Sequence, residues 1–469
     1  MAQPQVKFYY RNVFDDVIGS DDGISESDFK RLEQQTAPVL KKVNQQRKTG
    51  ETPYRELPYD EKSAEQVKKL GEQLKGDCEN FVVLGIGGSA LGNIALQTAL
   101  NPYMYNIDSN QRKTPRILVF DNVDPQQFGS FLDFIGDKLD KTVFNVISKS
   151  GRTAETASQF LTVRKLLLDK LGEEGLKKQV ITTTDAKEGT LRKITDSTGF
   201  RSLQVPDGVG GRFSVLSHVG LLSAYMGGID IDGLLEGARD MDKRVSSEDF
   251  FANPAAVNAA VNYYYYNHGK RNSVMFAYSY ALKDLADWYR QLWAESLGKS
   301  ENLKGQKVNI GPTPIKALGT TDQHSQVQLY REGPNDKLFT FLEVEDFERK
   351  VTIGDAPQEA PELSYLAGAD MGKLINSEKK ATEFALIKNK RPCLTVSFEK
   401  VTPYTIGQFI YLFEVTTSIT GELFGINTYN QPAVELGKEA TFALMGRDGY
   451  GELAARITPV LERDGKYLI

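Results

Sequence analysis

Over the first 75 positions, apolar residues recur at helical spacing. Ser25 is placed to cap a segment carrying Phe29 and Leu32, and Val67, Leu70 and Leu74 share one face of a second segment. From Phe81 the pattern changes to short apolar runs at 81–84, 117–120, 143–147 and 180–184, each closed by a polar or glycine-rich turn and followed by a helical segment. Strand alternating with helix predicts β-α units and a parallel sheet. After a helical region the rhythm returns at 273–278, 337–344 and 393–398, so two similar α/β units are the economical reading, although no repeat of residue identity links the halves. From Tyr404 a long helical stretch runs to Gly425, a further helix follows Pro432, and the tail is expected to wrap a neighbour.

Composition narrows the class without choosing a function. A chain of 469 residues is long enough for two or three domains, and 40% hydrophobic with 25% charged residues is an ordinary globular balance. The net charge of -5 arises from 57 basic and 62 acidic residues with no basic tract, which argues against nucleic acid as a partner. A phosphate therefore has to be captured by local donors rather than by the overall field. The opening stretch lacks the apolar core of a signal peptide and no run of about 18 apolar residues is present, so a cytoplasmic protein that does not enter the membrane is expected. Cys78 and Cys393, far apart in sequence, fit a reducing compartment and read as packing residues.

Several turns carry candidate chemistry. Gly85, Ile86, Gly87, Gly88, Ser89 and Ala90 follow an apolar run and open a helical one, so close backbone approach, exposed N–H groups and the Ser89 hydroxyl suit an anion or sugar hydroxyls. The same residues satisfy the G-x-G-x-x-A dinucleotide fingerprint, but Asp121 comes some ten positions late for the acid that would hold a ribose. Ser148, Lys149, Ser150, Gly151, Arg152 and Thr153, also between strand and helix, offer a phosphate three hydroxyls and several N–H groups; the alternative is that they only cap the helix beginning near Glu155. Gln291 and Glu295, four apart, point the same way from a helix whose stripe is Leu285, Trp288 and Leu292, and Glu295 is either a functional carboxylate or a solvated one. Of the three histidines, His218 reads as a core residue and His268 as a helix end, while His324 lies in a polar loop and is the best functional candidate. Their separation makes a metal site improbable. Arg212 after two glycines, and Gln431 with Lys438 around the helix after Pro432, complete the set; Lys438 with Glu435 also fits an ordinary helical ion pair.

In order along the chain, GIGGSALG at Gly85, SKSGRTAET at Ser148, VGGRFSVLS at Val209, QLWAESLGK at Gln291, TTDQHS at Thr320 and NQPAVELGK at Asn430 resemble the glucose-6-phosphate isomerase family. The resemblance implies two sugar-isomerase-type domains, each a parallel five-stranded sheet flanked by helices, at residues 76–235 and 236–430, with a helical lead-in at 1–75 and a helical tail at 431–469. It implies reversible interconversion of glucose 6-phosphate and fructose 6-phosphate through an enediol, in glycolysis and gluconeogenesis, without cofactor or metal. By matching position, Glu295 resembles the proton-transferring base, Arg212 the enediolate stabiliser, and His324 with Lys438 the groups that assist ring opening. Gly88 and Ser89 would meet sugar hydroxyls, Ser148, Lys149, Ser150 and Thr153 the phosphate, and Gln291 and Gln431 would orient the substrate. The family is dimeric with shared active sites, so His324 is expected to serve the neighbouring subunit. Arg152 and Leu297 depart from the residues common there, and the chain is shorter than the longer members. A non-catalytic sugar-phosphate sensor and a dinucleotide-dependent oxidoreductase are the competing readings; the first would need neither Glu295 nor His324.

Overall fold

Runs of apolar residues with no polar alternation are compatible with strands buried on both faces, and in the computed structural model the central strands of two sheets are such runs. The structure describes residues 3–76 and 78–469; Met1 and Ala2, which open the stretch read above for a leader, and Asp77 lie outside the described residues. The described strands are β1 (Val6–Tyr9), β2 (Asn80–Leu84), β3 (Arg116–Phe120), β4 (Thr142–Ile147), β5 (Val180–Thr184), β6 (Arg201–Gln204), β7 (Asn272–Ala277), β8 (Lys299–Glu301), β9 (Lys307–Ile310), β10 (Thr313–Leu318), β11 (Lys337–Val344) and β12 (Cys393–Phe398). The first sheet has the order β3-β2-β4-β5-β6 and is parallel throughout. The second has the order β1-β12-β11-β7-β10, while β8 and β9 form a separate antiparallel hairpin.

All seven apolar runs are strands, but the second sheet departs from the parallel sheet expected. Four of its strands are parallel, and the fifth, β1, runs antiparallel to β12. β1 comes from the lead-in, which is therefore not wholly helical as expected. Its four residues are too few to display a period, and only Val6 is fully buried. Lys7, exposed between Glu345 and Glu399, blunts the free edge against further pairing.

One apolar cluster spans both sheets, holding Phe81 and Val83 of the first together with Met275, Leu342 and Val396 of the second. The helix Pro403–Phe424 runs through it, and every position from 404 to 421 is buried. It begins at a Thr402 capping box and ends at Gly425, in the left-handed conformation. A polar knot ties this helix to its neighbours. Asp242, on the helix Ile231–Val245, accepts from Arg47 at 2.6 Å, Arg55 at 2.9 Å, Tyr59 at 2.7 Å and Tyr411 at 2.8 Å. Burial works to raise its pKa, but the hydrogen bonds from Tyr59, Arg55 and Tyr411 and the Arg55 charge outweigh that and hold the carboxyl down to about 2.

Breaking a buried ion pair on one side strands the other charge, so Asp242→Asn should lower stability at neutral pH by roughly 3–5 kcal/mol in urea unfolding. Because the folded pKa lies below the ordinary 3.8, the contribution is fully present above that value and is lost as pH falls through about 2. The gap between variant and parent should therefore shrink over that range.

Candidate functional site

The chain leaves β2 towards β3 on one side and builds β4, β5 and β6 on the other, so strand order reverses between β2 and β4, where Leu84 lies opposite Val146. In open parallel sheets a ligand crevice lies outside the carboxyl ends of the strands at such a point. The two segments that emerge there are 85–90 after β2 and 148–153 after β4.

In the second segment Ser148 is buried and its Oγ accepts from the N–H of Gly151 at 3.0 Å, while Ser150 Oγ accepts from that of Arg152 at 3.2 Å. Gly151 has a φ of 67°, a conformation that glycine adopts without strain. Thr153 is the N-cap of the helix Ala154–Gln179, yet its hydroxyl makes no capping bond. The capping alternative thus fails for Thr153. Lys149 and Arg152 are exposed, and among the described residues neither side chain has an ion-pair partner.

In the first segment, a short turn at Gly87–Ser89 precedes the helix Leu91–Leu100. Here the backbone of another loop comes very close. A Cβ added to Gly88 would lie 2.1 Å from the carbonyl carbon of Gly211, and one on Gly87 would lie 2.9 Å from Gln291 Nε2. On the dinucleotide reading the second glycine, Gly87, faces the pyrophosphate, and here Gln291 lies on that approach, while Gly211 packs on Gly88. Gly211 also delivers Arg212, which is 3% exposed, to the crevice.

Arg212 gathers the other candidates. Its Nη1 donates to Glu295 Oε2 at 3.4 Å and to Gln431 Oε1 at 2.9 Å, its Nε to Ser296 Oγ at 2.7 Å, and its Nη2 to the carbonyl of Thr428 at 2.7 Å. Burial draws the guanidinium pKa below the arginine value, and the Glu295 charge opposes that. Gln291 Nε2 donates to Glu295 Oε1 at 3.2 Å, so both glutamate oxygens are held, with the side chain one-third exposed. Glu295 is therefore not a freely solvated carboxylate. Next to Arg212, Phe213 packs between Tyr54 at 4.7 Å and Tyr429 at 5.7 Å, which fixes the turn. Ser296, Thr428 and Tyr429 had no signal in the sequence beyond lying in or near the quoted motifs, and Tyr54 lies outside them.

Within one chain the remaining candidates stay apart from this cluster. His324 ends a short turn at Thr321–His324 and is exposed, and among the described residues its side chain makes no hydrogen bond or ion pair. Lys438, half-exposed on the helix Glu435–Leu444, pairs with Glu435 at 2.7 Å, the helical pair that its spacing allows. His218 is buried between the Gln204 carbonyl at 2.8 Å and Gln66 at 3.1 Å, a satisfied core histidine, and His268 caps the helix Pro254–Asn267.

Known proteins resemble this chain over most of its length. The family model for phosphoglucose isomerase matches residues 62–448. The glucose-6-phosphate isomerase of Carboxydothermus hydrogenoformans is 44% identical over 458 residues, covering 97% of this chain and 98% of that protein. That of Rubrobacter xylanophilus is 41% identical over 396 residues, covering 84% and 89%. A hypothetical protein from Thermus thermophilus superposes with a TM-score of 0.81 at 31% identity, covering 94% of this chain and all of that one. A glucose-6-phosphate isomerase from Chlamydia trachomatis shares the fold at a TM-score of 0.81 and 18% identity, covering 98% and 93%.

The Gly88 contact is testable by itself. Gly88→Ala must push the Gly211 backbone away, and overpacking of this kind costs about 1–3 kcal/mol. A lower melting temperature should accompany loss of Arg212-dependent function; a variant with unchanged melting and function would show that the two loops do not need this contact.

Proposed function

Since the chain belongs to the phosphoglucose isomerase family and the family carries out sugar-phosphate isomerisation, we propose that it interconverts glucose 6-phosphate and fructose 6-phosphate. The observation that carries the reading is the Glu295 carboxylate held beside the buried Arg212 guanidinium, which follows the turn that packs on Gly88. A proton next to a carbonyl is weakly acidic. Its removal needs a positioned base and a cation where the enediolate charge develops. In the proposed mechanism Glu295 takes the proton from C2 of the open-chain aldose and returns it to C1, a proton passes from O2 to O1 of the enediolate, and the Arg212 guanidinium stabilises the negative oxygen charge.

The hydroxyls and N–H groups of Ser148, Ser150 and Thr153, with Lys149, would hold the phosphate, so that the reacting carbons stay in register. Gly88, Ser89, Gln291 and Gln431 would meet the sugar. Ring opening needs a further acid and base, and His324 and Lys438 are assigned to it. Because His324 is exposed and unpartnered in its own chain, the reading includes a homodimer in which it enters the neighbour's crevice. Exposed Leu436, Leu444, Met445, Val460 and Leu461 on the C-terminal helices support a subunit contact there. The reaction as proposed uses no cofactor and belongs in the cytoplasm, in glycolysis and gluconeogenesis.

A coupled assay with fructose 6-phosphate tests the activity. Glu295→Gln should lower kcat by about 10²–10⁴-fold with folding intact, and wild-type kcat in that variant would remove the mechanism. In deuterated solvent the product should gain label at the carbon that receives the proton. Mixing dissociated Glu295→Gln and His324→Ala dimers should restore about a quarter of wild-type activity if two-fold-related sites are shared, and none if each chain is self-sufficient.

A further inference from the structure

Lys299 follows the helix Lys283–Leu297 and opens β8. It is only 9% exposed, although nothing in the proposed chemistry uses it. Its Nζ donates to the backbone carbonyl of Glu295 at 2.5 Å. That carbonyl is among the last four of the helix, which have no partner within it, and the one before it, on Ala294, is taken by the Gly298 N–H. The last turn of the helix that carries Glu295 is therefore closed by a lysine four residues on. Lys299 also lines a cavity of about 740 Å³ together with Glu295, Gln431 and Asn430.

Resting on the isomerase reading, we propose that Lys299 is a positioning residue for that reaction. It fixes the last helical turn, so that the Glu295 carboxylate keeps its aim, and it adds positive charge beside the Arg212–Glu295 pair where enediolate charge develops. Charge at a helix carboxyl end is favourable in itself, since the terminal carbonyls carry the negative pole.

The groups facing the amine are few. Arg212 reaches it from the turn Gly211–Phe213 and Glu295 from the helix; Ile310, opposite it in the hairpin, is uncharged, and Asn427, Asn430 and Gln431 bring only amides to the shared cavity. Glu301, on its own strand, also lines that cavity. Burial first, and then the like charge of Arg212, push the Lys299 amine down to about 8, with Glu295 opposing. A proton held below that value is lost as pH rises through it. The charge leaves, and the charge-assisted bond to the carbonyl weakens.

The test compares wild type with Lys299→Met and Lys299→Arg in the fructose 6-phosphate assay, with amide hydrogen exchange of the 291–299 peptide as a readout independent of activity. Lys299→Met should lower kcat by about tenfold or more with KM within about twofold, and the peptide should exchange faster. Lys299→Arg, which stays charged, should keep kcat within about threefold of wild type and lose the fall in kcat near pH 8. Thermal melts confirm that both variants fold. Wild-type kcat, pH profile and exchange in Lys299→Met would overturn the positioning role; a fall near pH 8 that persists in Lys299→Arg would overturn the charge role. A wild-type protein that turns over no fructose 6-phosphate would instead overturn the isomerase reading, and the exchange data would still report whether Lys299 holds the helix end.

Discussion

Arg212 has almost no contact with solvent, so its guanidinium must find its acceptors within the protein or leave a charge stranded at a cost of several kcal/mol. It finds them on two segments remote in sequence: Glu295 and Ser296 on one helix, and Thr428, Asn430 and Gln431 on the strap after another. Satisfying this one side chain draws those segments together, and the glycine-to-glycine approach at Gly88 adds the turn after β2. The bond to Glu295 is among the longest of the set, while Ser296 and the Thr428 carbonyl bind closely. The carboxylate can thus turn towards a ligand while the guanidinium keeps its other anchors.

The parts of the fold legible in the sequence are those with an unmixed environment. β2, β4, β11 and β12 are buried on both faces or nearly so, and their apolar runs stand out. The strands missed lie at edges or outside the main sheets. β6 reads RSLQ with only Leu203 buried, β10 contains Pro314, which an edge tolerates, and β1 is four residues with one buried position. These strands carry polar residues that local patterning assigns to loops, whereas β3, also at an edge, keeps an apolar run at 117–120 and was legible.

The site was legible to a different degree. Turns between strand and helix announced 85–90 and 148–153, because glycines and hydroxyls there have a chemical reason to be present. What local patterning could not supply was the meeting of Arg212 with Glu295, since 83 positions separate them and only the closed fold makes them neighbours. It did separate His218, in an apolar helical run, from His324, in a polar loop. The first is consumed by Gln204 and Gln66, and the second has no partner in its own chain. Motif order supplied what spacing did not, and Lys299, the final letter of one such motif, drew no notice because a lysine after a glycine looks like a solvated helix end.

The long buried helix Pro403–Phe424 has a mechanical consequence. Since it threads a core common to both sheets, the halves cannot part like jaws without wetting that interior. Traffic into and out of the crevice therefore falls to rim segments, and the work of ligand capture goes into settling side chains on a stiff frame rather than swinging one half over the other.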